Sequence, residues 1–214
     1  MARISLTFPL FLFSLLYFQN GNQLATATAT TTATAAASNP AASFIRNSCR
    51  ATRYPLVCVR SLSTFASTIH KSPKQLVMTA LSVSVDRAQS TKAFVRKLST
   101  FRGLKPREYS ALKDCLEEVG DSADRLGDSV RELKRLGRAG GPEFEWHMSN
   151  LQTWVSAALT DESTCLDGFA GRALNGRIKS SIRARMTEVA QVTSNALALC
   201  NQFAGKYKLS YDMN

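Results

Sequence analysis

The chain has 214 residues, with 27 Lys or Arg against 16 Asp or Glu and a formal net charge of +11. Its only histidines, His70 and His147, stand in no H-E-x-x-H spacing, and no G-x-S-x-G, P-loop or dinucleotide fingerprint occurs. These absences argue against a zinc, serine-hydrolase or nucleotide-cofactor enzyme and imply no metal or cofactor.

At the start, Arg3 precedes an apolar run of 15 residues, Ile4 to Phe18, followed by small residues in which Ala25-Thr26-Ala27 fits an A-x-A cleavage pattern. A spanning helix needs about 20 apolar residues, and no second such run appears, so residues 1–27 read as a secretory signal and the product as secreted, with no membrane span. Residues 28–43 are nearly all Ala and Thr and are expected to form a flexible arm outside the fold. The rest, residues 44–209, is of a length that suits one domain.

Cysteines stand at 49, 58, 115, 165 and 200, an odd number that leaves the pairing open. Cys49 and Cys58 flank a segment whose Tyr54-Pro55 disfavours helix at Tyr54, so a bent pair of short helical turns closed by a local bridge is the simplest reading. A first long helix follows. Ser72 is a good N-cap, Pro73 fits the first turn and Gln75 completes a capping-box spacing; Val77, Leu81, Val85, Ala88, Val95 and Leu98 form its buried stripe up to about Phe101. From Pro106 a second stripe runs through Tyr109, Leu112, Leu116, Val119, Ala123, Leu126, Val130 and Leu133 at steps of three and four. After a Gly-Gly-Pro breaker, Pro142 opens a third helix with Phe144, Met148, Leu151, Val155 and Ala158 on one side, reaching Cys165. The last helix is expected from about Arg177, capped by Asn175, to just before Gly205, with Cys200 near its inner side as a small buried hydrophobe.

If 137–141 is a hairpin turn, Cys115 lies 22 residues before Gly137 and Cys165 lies 24 after Gly141. At about 1.5 Å per residue both thiols stand about 35 Å from the turn, level to within one helical turn. A Cys115–Cys165 disulfide would then close the open end of the hairpin, the alternative being two unrelated buried thiols. Four long amphipathic helices on short Gly/Pro connections, with no strand alternation, read as an all-α protein: an antiparallel up-and-down four-helix bundle preceded by a short disulfide-linked helical hairpin.

The Cys-x8-Cys pair, the cysteine early in the next long helix but one, Val155-Ser156-Ala157-Ala158-Leu159-Thr160 and Thr164-Cys165-Leu166-Asp167-Gly168-Phe169 together resemble the plant pectin methylesterase and invertase inhibitors. The resemblance covers Ser43 to about Leu209. It implies a four-helix bundle with Cys49–Cys58 and Cys115–Cys165 bonded and Cys200 free, which agrees with the helix lengths. It also implies a choice between two targets. Invertase inhibitors of the family carry Pro-Lys-Phe on entering the third long helix, where this chain has Pro142-Glu143-Phe144. The reversed charge at Glu143 favours inhibition of pectin methylesterase, and Glu143 also serves as a first-turn helix acid.

In the esterase inhibitors the resemblance places a 1:1 contact over the pectin-binding cleft, through residues matching Thr164 and Asp167, then Gln152, with Ser156 of the shared motif on the same stretch. For Thr164 and Asp167 the competing role is helix capping beside the disulfide. Two other functions remain open at this level: an inhibitor of acid invertase, and a basic wall protein that binds anionic pectin without an enzyme target. In a secreted protein the positive charge points to pectin, or to no more than general solubility, rather than to nucleic acid. Asp161 and Glu162 are adjacent, diverge by about 100° on a helix and so form no acid/base pair across a site.

Overall fold

Every proline after Pro9 opens a helix, because a first helical position has a preset φ to satisfy and no intrahelical N–H to lose. In the computed structural model, which describes residues 39–137, 141–174 and 176–212, these helices are α1 (Pro40–Cys49), α2 (Pro55–Leu62), α4 (Pro73–Ser99), α5 (Pro106–Arg135) and α6 (Pro142–Gly168). A short α3 (Ala66–Ile69) ends at His70, whose φ of 50° turns the chain into α4, and α7 (Arg177–Asp212) completes the fold. No strand occurs among the described residues. Each of α4, α5, α6 and α7 packs on two of the others in the cyclic order α4–α5–α6–α7, so α4 and α6 lie across a diagonal.

The apolar stripes meet inside that square. One cluster holds Leu81, Leu126, Leu151, Val155, Val189 and Leu199; a second, at the end carrying the α4–α5 turn, holds Val95, Leu112, Val119, Phe169, Ile182 and Met186. Cys115 and Cys165 are bonded within the second cluster, with Cα atoms 4.4 Å apart. Cys49 and Cys58 join α1 to α2. Tyr54, between them, donates its backbone N–H to Asn195 Oδ1 (3.0 Å) and accepts from Asn195 Nδ2 (2.9 Å), so one buried amide of α7 satisfies both backbone groups of the bend. Cys200 is free and wholly buried, and burial pushes its thiol well above the ordinary range, so it behaves as an apolar residue.

Two boundaries differ from those read in the sequence. Helix α1 begins at Pro40, inside the stretch expected to be a flexible arm: Asn39 caps it by accepting from the Ala41 N–H (3.0 Å), and Ile45 is fully buried. The expected signal and the arm up to residue 38 lie outside the described residues, as does the expected cap Asn175. The last helix does not stop at Gly205. Tyr207 packs its ring 4.8 Å from that of Phe203 and 5.7 Å from that of Phe144, and this packing outweighs the roughly 1 kcal/mol helix penalty of one glycine.

The two bridges constrain very different loops, with sequence separations of 50 and 9. Replacing Cys115 and Cys165 by Ala should lower the unfolding free energy by about 4 kcal/mol, against about 3 kcal/mol for the Cys49/Cys58 pair. Denaturant titration of the two double variants measures this; a larger loss from the short loop would contradict it.

Candidate functional site

Helix α6 turns its apolar stripe inward, which leaves a polar strip on its outer side. Ser156, Thr164 and Asp167 are exposed there and Gln152 is half-buried. By helical geometry the four share an arc of about 120° and run about 22 Å along the axis. They are one surface, on the side of α6 that turns from α7 to solvent.

Their local bonding differs. Thr164 donates its hydroxyl to the Thr160 carbonyl one turn back (2.9 Å) and so does not cap the last carbonyls of the helix. The Asp167 carboxylate has no hydrogen-bond or ion-pair partner among the described residues, although it sits in the last turn of α6, where a carboxylate faces the negative end of the helix dipole. An unpaired acid at that place costs a few tenths of a kcal/mol and returns nothing to the fold. Gln152 is partly committed: its Nε2 donates to Asn201 Oδ1 on α7 (2.8 Å). That pair lies in an open groove of about 380 Å³ between α6 and α7, lined also by Phe144, Glu145, Ser149 and Gly205. Glu143 is exposed in the first turn of α6, and its carboxylate crosses the turn so closely that a Cβ on Gly137 would come within 2.7 Å of Oε2. It stands about 24 residues from Asp167, so about 36 Å away along the helix and apart from the strip.

The arrangement has the features of a docking face: exposed side chains beside an open groove, and no group of three His, Cys, Asp or Glu among the described residues that could hold a metal. Comparison with known proteins says of which kind. Residues 43–199 match the family described as plant invertase/pectin methylesterase inhibitor. The chain belongs to that family. It is 51% identical over 196 residues to Pectinesterase inhibitor 11 of Arabidopsis thaliana, covering 91% of this chain and 97% of that protein. It is 55% identical over 169 residues to the 21 kDa protein of Daucus carota, covering 79% and 88%. A crystal structure of a mutant form of a pectin methylesterase inhibitor from Arabidopsis shares the fold, with a TM-score of 0.58 and 23% identity over 72% of this chain and 92% of that one.

This member of the inhibitor family also carries features that sequence reading passed over. Trp146 is 67% exposed on the outer side of α6, a large apolar ring of the kind enriched among interface anchors. Its signal was its position off the apolar stripe. Asp161 and Glu162 do diverge, but both go inward. Asp161 Oδ1 pairs with Arg125 of α5 (2.5 Å), while Glu162, wholly buried, accepts from Ser122 (2.9 Å) and Thr193 (2.9 Å) through the same Oε1. Asp161 Oδ2 and Glu162 Oε2 are buried without partners. Glu162 falls in step with Val155, Ala158 and Cys165 on the apolar stripe, the position that could have marked it as interior. At the other end of α6, His147 Nδ1 meets Glu132 Oε2 at 2.7 Å, and that bond holds the Glu132 carboxyl below its ordinary range.

Burial pushes the Glu162 carboxyl up to about 7 from 4.5, and that of Asp161 to about 6 from 3.8 despite Arg125. Unfolding therefore releases protons. The stability these protons supply is full below the unfolded values and is lost as pH rises through the folded ones. The wild-type unfolding free energy should fall by about 2 kcal/mol between pH 5 and pH 8 through Glu162, and Glu162→Gln should remove that part of the slope. Urea titration at the two pH values measures it; identical slopes in both proteins would contradict the assignment.

Proposed function

We propose that this chain is a secreted inhibitor of plant pectin methylesterase that binds the enzyme one to one and covers its pectin-binding cleft with the outer strip of α6. The family and the name of the Arabidopsis relative at 51% identity support the target. The observation that carries the surface is Asp167: an exposed carboxylate left unpaired against the helix dipole, beside a disulfide that fixes its height on the bundle. Catalysis is not part of the reading, since the family is one of inhibitors. The secretory reading of residues 1–27 supports an extracellular, cell-wall location, and no helix among the described residues is long and apolar enough to cross a membrane.

Glu143 favours the esterase over acid invertase, because an invertase cleft built with catalytic carboxylates would meet like charge at that exposed turn. Esterase contacts at Thr164 and Asp167 lie at the far end of α6 and would not feel it. Glu143→Lys should therefore yield at most partial inhibition of acid invertase while leaving esterase inhibition nearly unchanged, as parallel activity titrations would show.

Truncating or reversing one central contact dominates an interface of ordinary size, so Asp167→Arg should weaken esterase inhibition by about 2 kcal/mol or more, about thirtyfold, with helicity intact. Inhibition equal to wild type would place the contact elsewhere. Inhibition that does not weaken as pectin concentration rises, with the complex still intact, would rule out covering of the cleft.

A further inference from the structure

Charge is not spread evenly over the bundle. Residues 87–107 and 168–187 together hold twelve of the 27 Lys and Arg and none of the 16 Asp and Glu. The first stretch is the carboxy-terminal half of α4 with its turn; the second is the turn out of α6 with the start of α7. Because α4 and α7 are antiparallel neighbours, the fold lays the two stretches side by side.

Two contacts fix how they meet. Arg87 Nη1 reaches Glu188 Oε1 at 3.3 Å, which neutralises the first carboxylate beyond the basic stretch, and the Arg185 guanidinium sits 4.9 Å over the Phe94 ring. Stepping by helical turns from these contacts, Arg87 and Phe94 follow one flank of α4, with Phe101 two residues beyond its last residue Ser99, and Glu188, Arg185, Ser181 and Arg177 follow the facing flank of α7. Phe101 is 56% exposed, and Lys97, Arg102 and Arg177 are exposed with no ion-pair partner among the described residues. The seam runs about 18 Å along α4 from Arg87 to its end at Ser99.

Uncompensated cations beside one exposed phenyl ring, Phe101, and a half-buried one, Phe94, under Arg185, suit a polymer that has a carboxylate on each unit and an apolar C–H face on each ring. Arginine accepts carboxylates in a two-point fork, and a phenyl face covers a sugar face. An anionic membrane would instead require an exposed apolar helix face beneath the cations, and the apolar sides of α4 and α7 are in the core. We propose that the α4–α7 seam, Phe94 and Phe101 flanked by Lys97, Arg102, Arg177 and Arg185, is a binding face for linear polyuronate, the carboxylated backbone of de-esterified pectin. The seam lies away from the outer strip of α6, so the polymer and a protein partner can be held together. The choice of polymer rests on the cell-wall placement of the proposed function; the binding and inhibition readouts below fail independently of each other.

The test uses the full, oxidised secreted protein and polygalacturonate of defined length, with fully methyl-esterified polymer, polyglutamate, duplex DNA and anionic vesicles as comparators. Lys97→Ser/Arg177→Ser/Arg185→Ser should weaken polygalacturonate binding about tenfold, the sum of three exposed charge contacts, and leave esterase inhibition unchanged. A variant with the same charge loss at the opposite end, Arg46→Ser/Arg50→Ser/Lys74→Ser, should weaken it far less. Phe101→Ala should weaken polygalacturonate binding several-fold and leave polyglutamate binding as it was. Equal losses in the two triple variants, no effect of Phe101→Ala, or equally tight binding to polyglutamate, DNA or vesicles would each overturn the proposal, since net charge alone would then account for binding.

Discussion

Two helices joined by a short turn have to reach equal heights at their far ends before a bond can join them there, and the Cys115–Cys165 bridge is that bond. It closes the α5–α6 hairpin at the end opposite the turn, so α6 is held against α5 at both extremities. The outer strip of α6 inherits its position from this constraint. Thr164 and Cys165 are successive residues, and Asp167 is two further on, so whatever the strip docks against is presented at a height set by a covalent link. The packing of Phe144, Phe203 and Tyr207 does the same service at the other end by tying α7 to the start of α6.

The interior of the bundle is not uniformly apolar, and this has consequences for the same helix. Glu162 and Ser122 lie between the two apolar clusters along α6 and α5. A half-satisfied carboxylate there makes the core sensitive to proton activity, with the protonated form favouring the fold. Charge is also divided outside: α5 carries a run of acids from Asp114 to Glu132, while the α4–α7 side at the disulfide end is free of them. The bundle therefore presents distinct faces to acidic and basic partners, which a net charge of +11 conceals.

Much of this was legible in the sequence, for identifiable reasons. The helix starts were marked by prolines, the inward faces by unbroken three- and four-residue steps, and the level placement of Cys115 and Cys165 by counting from the glycine turn. Where reading failed, a tertiary contact had overridden a local rule. Gly205 looked like a stop because nothing local announces that Tyr207 packs on two rings. Pro40 was hidden in an Ala/Thr-rich run whose composition suggests an arm, although Asn39-Pro40 is a cap followed by a first helical residue. Glu162 was weighed only as half of an acid/base pair with Asp161, when its partners Ser122 and Thr193 come from helices distant in sequence. The clamp between Asn195 and Tyr54 spans 141 residues and had no sequence signal at all.

The central claim is that the outer side of this bundle is built for pectin methylesterase and not for the related invertase target. The most direct measurement is a parallel titration of the purified, oxidised protein against plant pectin methylesterase and acid invertase under the same conditions. The account predicts saturating inhibition of the esterase at one equivalent, with invertase still active at that concentration. Strong inhibition of invertase, with the esterase unaffected, would contradict it.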